Sequence, residues 1–188
     1  MKRRKALWMT MASALCLVLS ADATTIVRVD LDELVRISHA VARGQCISSE
    51  ARIDNGNIWT FTTFEVEETL KGNATGRITI RLPGGKVGHL TSTVDAVPHF
   101  RAGEKLFLFL LPTGAGDFSV TGWVQGTFRV RRDSDTAKES VTQDMAGVAV
   151  FDPATRQFKR SGVRNMPVEE FCQRVREAVD REKKGKLQ

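Results

Sequence analysis

Ile58-Trp59-Thr60-Phe61-Thr62-Thr63-Phe64-Glu65-Val66-Glu67-Glu68-Thr69-Leu70 is the stretch on which the fold turns. Aromatic, β-branched and threonine side chains dominate it, and no glycine or proline interrupts it, so it predicts one long strand. Its apolar positions change parity midway: Trp59 and Phe61 are odd, whereas Phe64, Val66 and Leu70 are even. A change of face inside one strand predicts a bulge or sharp coil, as strands bending around a small barrel require. Turn signals bound it on both sides. Asp54-Asn55-Gly56-Asn57 precedes it and suits a type I′ hairpin, and Lys71-Gly72-Asn73 follows it.

Working upstream, Ala40, Ala42, Gly44 and Cys46 alternate with Val41, Arg43, Gln45 and Ile47, the pattern of the partner strand. Before that, Asp30 with Glu33 three residues on forms a capping box for a short helix that fades near Ser38, and Thr24 to Val29 reads as a short edge strand. Downstream, Ile78, Ile80 and Leu82 alternate with Arg77, Thr79 and Arg81 and end at Pro83-Gly84-Gly85. Lys86 to Arg101 reads as a polar loop. Leu106 to Leu111 is a continuous apolar run, the signature of a buried central strand. Phe118 with Val120, Phe128 with Val130, and Val148 to Phe151 give further short strands, while Asp133 to Asp144 reads as a polar excursion. The final element is a helix over about 167–183, with early glutamates, late lysines and an apolar stripe of Val168, Phe171, Cys172, Val175 and Val179. Many short strands, glycine-rich turns and a helix towards each end predict a mainly β domain, a small barrel or sandwich.

Three segments carry a family resemblance: Ala40-Val41-Ala42-Arg43-Gly44-Gln45, Thr60 to Gly72, and Ala102 to Phe109. They resemble the netrin-module and tissue-inhibitor-of-metalloproteinase pattern. The resemblance implies a small OB-like barrel flanked by an N-terminal and a C-terminal helix. It departs at one point: in the metalloproteinase inhibitors a cysteine at the mature N-terminus binds the catalytic zinc, whereas here the expected mature N-terminus is Thr24 and Cys46 is internal. The chain also resembles uncharacterised exported bacterial proteins with the same strand, Lys-Gly, strand order.

Lys2 to Lys5, the mostly apolar run Ala6 to Ser20 and Ala21-Asp22-Ala23 have the three-part layout of a signal peptide over residues 1–23, cleaved after Ala23. The 188-residue chain carries a formal charge of +6. Removing the leader takes away four basic residues and one acid, which leaves 24 basic against 21 acidic residues, a net of +3. A concentrated basic face for nucleic acid therefore loses most of its support. No later segment is apolar enough to span a bilayer. The expectation is a secreted or periplasmic protein whose residues 24–188 form a single domain.

Catalytic motifs are sparse. No GxSxG, SxxK, HExxH or CxxC occurs in the sequence. His89 and His99 flank Asp95 in the polar stretch and are the low-grade metal candidates, because a metal site needs three or four convergent ligands. Cys46 and Cys172 read as core thiols, with a disulfide between them left open by an oxidising compartment. Glu65 and Glu67 stand ~7 Å apart by strand rise and read as a solvated face rather than a glycosidase pair. The outward arginines Arg77, Arg81, Arg129 and Arg131 are the ligand-facing candidates, although strands use exposed basic residues to protect edges and base-stacking aromatics are not interleaved with these. Together these features lead to an exported, non-enzymatic binding or envelope-associated module that takes an unknown protein or an envelope polymer and no cofactor. The alternatives are a hydrolase or metal-dependent enzyme using the His89–His99 loop, and a protease-inhibitor-like module.

Overall fold

The computed structural model describes residues 25–145, 148–152, 155–159 and 162–185. The expected leader over residues 1–23, with its expected cleavage point after Ala23, lies outside the described residues. In chain order the elements are β1 (Thr25–Val27), α1 (Leu31–Ile37), β2 (Ala40–Asp54), β3 (Asn57–Lys71), β4 (Arg77–Pro83), β5 (Gly85–Val87) and β6 (Leu90–Ser92). They continue with β7 (Lys105–Pro112), β8 (Phe118–Val120), a 3-10 turn (Trp123–Gly126), β9 (Thr127–Arg132) and β10 (Glu139–Gln143). β11 (Ala149–Asp152), β12 (Gln157–Lys159), β13 (Met166–Pro167) and α2 (Val168–Gly185) complete the described chain. The protein is mainly β. One sheet runs β13-β10-β9-β7-β2-β3-β4-β8, and β7 pairs with β8 as well. Two smaller sheets, β1-β11-β12 and β5-β6, accompany it. Among the described residues no helix is long and apolar enough to cross a membrane.

β7 explains the layering. Leu106, Leu108 and Leu110 point into one cluster with Ala40, Ala42, Cys46, Phe64, Ile78, Ile80 and Leu82. Phe107 and Phe109 point the other way, into a cluster with Leu34, Val35, Phe128, Phe171, Cys172 and Val175 from the helices and β9. A strand buried on both faces has no polar side to show, which is why its sequence is a continuous apolar run. The two cores thus lie on opposite sides of this strand.

The long hairpin β2–β3 closes as its turn residues dictate. Asn55 (φ 49°) and Gly56 (φ 77°) both adopt the left-handed conformation that a type I′ turn needs. At the other end Gly72 (φ 70°) passes so close to the start of β2 that an added Cβ would stand 2.4 Å from the His39 carbonyl oxygen.

The expected bulge is present but displaced. Between Trp59 and Val66, β3 alternates without interruption: Thr62 and Phe64 are buried, and Trp59, Phe61, Thr63 and Glu65 lie on the opposite face, half-buried. The parity change at Phe61 to Phe64 therefore marks two aromatic residues facing outward, not a twist of the strand. Of the three register shifts in the β2–β3 pairing, one falls opposite that step, on β2, and the other two lie farther along β3. β3 carries extra residues at Glu67 and Leu70, and β2 carries one at Ile47, opposite the step from Thr63 to Phe64. After these shifts Leu70 packs into the helix-side cluster.

Two further expectations are corrected. The stretch from Lys86 to Arg101 is not all loop, since Gly85–Val87 and Leu90–Ser92 pair as a small antiparallel hairpin. The polar excursion from Asp133 to Asp144 contains β10, which pairs with β9 along its whole length. Short polar strands of this kind are made by their partners and leave no hydrophobic period to read.

Candidate functional site

β2 pairs with β7 only from Ala40 to Gln45; from Ser48 to Asp54 it pairs with β3 alone. This far half of the hairpin has two faces with different fates. β5 covers the inner one. Gly84 donates its N–H to the Ile58 carbonyl at 2.9 Å and accepts the Thr60 hydroxyl at 2.7 Å. Gly85 (φ 130°) then lies so close that an added Cβ would stand 2.6 Å from Thr60 Oγ1 and 2.7 Å from Ala51 Cβ. No strand covers the outer face in the described residues, and it carries the aromatics.

Cross-strand register assembles that face row by row. Arg52, Trp59 and Pro83 share one row; Glu50, Phe61 and Arg81 share the next; Ser48, Thr63 and Thr79 the third. The Arg52 guanidinium carbon stands 3.6 Å from the Phe61 ring centre, and that of Arg81 stands 4.2 Å from Trp59 and 5.6 Å from Phe61. Each such contact contributes roughly 0.5–1 kcal/mol at exposed sites. Asp54 holds Arg81 at 2.7 Å, while the Arg81 Nε is buried without a hydrogen-bond partner. Arg77 donates to Glu65 at 2.8 Å, and this exposed pair raises the Arg77 pKa above its ordinary value, chiefly through the hydrogen bond. Arg52, Arg77 and Arg81 are thus balanced on one face by Glu50, Asp54 and Glu65. The result is a strip whose aromatic bodies are stacked by guanidiniums and which carries little net charge. It can stack against an apolar ligand face and hydrogen-bond to polar groups beside it, and it has no local field to concentrate polyanions.

The other arginine candidates do not join this strip. Arg129 lies on β9, pairs with Glu104 at 2.7 Å and Asp144 at 2.8 Å, and donates to the His99 carbonyl at 2.8 Å. It is a strut between β9 and two loops. Arg131 is exposed farther along the same strand. Glu65 and Glu67 serve different partners: Glu65 bonds to Arg77, and Glu67 pairs with Arg43 and Lys105.

His89 occupies the turn of the β5–β6 hairpin and His99 the segment before β7, both exposed. Among the described residues no group of three or more His, Cys, Asp or Glu side chains stands together as a metal cage would. Cys46 and Cys172 are free, buried thiols that belong to the two different apolar clusters. The disulfide left open by the sequence is therefore not formed, because two packed layers keep the residues in separate cores. Burial, reinforced by the Glu104 carboxylate, pushes the Cys46 thiol up to about 11, and burial likewise raises that of Cys172. Neither thiol is set up as a nucleophile.

Reading arginines along single strands missed Arg52, Trp59 and Phe61. The aromatic partners of Arg81 sit on the neighbouring strand, so the interleaving runs across the sheet. The available signal was the parity change at Phe61 to Phe64, which placed two large rings on the face opposite the core residues. Neither protein-family models nor curated proteins match this chain.

Proposed function

We propose that the protein is an exported, non-enzymatic binding module that grips a polymer of the cell envelope on the outer face of β2, β3 and β4. The observation that carries this reading is the pair Trp59 and Phe61, turned outward from a sheet and each stacked by a guanidinium. Core formation gives no reason to place large rings on that face, since the inner face already holds Thr60, Thr62 and Phe64. A neutral glycan fits the strip best. The C–H faces of sugar rings stack on aromatics, and their hydroxyls suit the paired guanidinium and carboxylate groups. The fold reading that accompanies it is a small OB-like barrel of β2, β3, β4, β8 and β7. It is supported by the pairing of β8 both with β7 and, through Ile80 and Phe118, with β4. Barrels of this type offer an outer strand face to extended polymers.

The test is retention of the processed protein on insoluble envelope polysaccharides, with titration of soluble fragments followed by tryptophan fluorescence. Trp59→Ala and Arg52→Ala are expected to weaken binding by about tenfold or more while shifting the unfolding midpoint little. Absence of retention on any glycan, or binding indifferent to Trp59→Ala, would overturn the reading. So would retention only through a protein.

A further inference from the structure

A cleft of about 490 Å³ opens on another part of the molecule, between α1, the chain after β1 and the Gly162–Met166 segment. That volume is in the range of small-molecule sites. Its floor is apolar: Leu34 and Phe128 are each 1% exposed, and Val163 packs beside them. Met145 and Met166 also line it, and these are the only methionines after residue 11. Methionine adapts its shape to irregular apolar ligands. One wall is fixed by Gln125, which accepts the Val29 N–H at 2.8 Å and donates to the Val27 carbonyl at 2.9 Å.

The rim is cationic. Arg28, Arg164 and Arg174 line the cleft against a single carboxylate, Asp30, which is already engaged in capping α1. Arg174 pairs with Glu170 at 2.7 Å, and Arg28 reaches Asp152 only at 3.5 Å. Arg164 is exposed and makes no ion pair among the described residues. Guanidiniums suit carboxylates because their forked donors match two oxygens.

We infer that this cleft binds a small amphipathic carboxylate, its anionic head at Arg28, Arg164 and Arg174 and its aliphatic chain along Met145, Met166 and Val163. The site is separate from the Trp59 face, so each proposal stands or falls alone.

Octanoate, octanol and acetate form the decisive set, because they separate charge from apolar body. Protein labelled with [methyl-13C]methionine reports the site directly, since beyond the leader only Met145 and Met166 contribute signals. Octanoate is expected to shift both methyl signals saturably, with octanol and acetate at least about tenfold weaker. Arg164→Gln should weaken octanoate by about tenfold, whereas Arg132→Gln, an exposed site on β9, should leave it unchanged; the unliganded methyl spectrum checks that each variant is folded. The inference is overturned if octanoate moves neither signal, if octanol binds as tightly, or if Arg164→Gln has no effect.

Discussion

Cys46 shows how a single residue can report on the core around it. Its side chain is 1% exposed and belongs to the cluster of Ala40, Ala42, Phe64 and Leu106. Desolvation favours the neutral thiol, so its ionisation in the folded protein waits until about pH 11. In the unfolded chain the thiol ionises near ~8.5. Between those values the unfolded state binds fewer protons, so the stability that the neutral thiol contributes is intact below the lower value and lost as pH rises towards the upper one. With no tyrosine in the chain, few other groups titrate at the start of that window. The urea midpoint should therefore fall from pH 8.5 upwards, and Cys46→Ala should flatten the fall; an unaltered slope would show that the thiol is solvated. Sequence alone placed this residue well, because small residues at alternate positions from Ala40 to Cys46 mark a close-packed face. It did not place Trp59 and Phe61. Their parity was visible, but bulges and outward aromatics leave the same trace in a single strand, and only the partner's register separates them.

At the scale of elements, legibility followed the strength of the hydrophobic period. β7, β4 and the β2–β3 hairpin each carry a run, an alternation or a turn with its own physical cause, and each stands where its residues put it. β5, β6 and β10 carry none, and they exist because a neighbouring strand offers hydrogen bonds. α2 is the element with the most to lose. Val168, Phe171, Cys172, Val175, Ala178 and Val179 are all buried along one face. The Phe171 ring centre lies 4.9 Å from those of both Phe107 and Phe128, so it joins the helix to β7 and β9 at once. Truncating it leaves a cavity bounded by two strands that cannot move inward. Phe171→Ala should cost about 3–5 kcal/mol in urea unfolding and raise the rate of thiol labelling at Cys172. A loss under about 1 kcal/mol would mean that the helix is not docked as its stripe indicates.

For the whole molecule, the question is what holds the helix layer to the sheet besides apolar contact. Arg176 reaches Glu68 at 2.6 Å and Arg181 reaches Asp32 at 2.7 Å, but all four side chains are well exposed, and such pairs contribute little. Lys71 differs. At the end of β3 its ammonium lies 2.6 Å from Glu182 of α2 and donates at 2.6 Å to the Val35 carbonyl in the last turn of α1. Side-chain exposures of 15% and 9% place the pair largely out of water. One cation therefore links both helices to the sheet, and it has been desolvated to do so. Removing it takes the cation from a largely buried carboxylate, so Lys71→Met alone is expected to destabilise by about 3–5 kcal/mol. Replacing both partners removes the desolvation cost together with the attraction. Lys71→Met combined with Glu182→Leu should then recover most of that loss, giving a large coupling energy in a double-mutant cycle. If the double variant is as unstable as the sum of the singles, the Lys71–Glu182 contact contributes nothing of its own. The helix layer would then rest on Phe171 and its apolar neighbours alone.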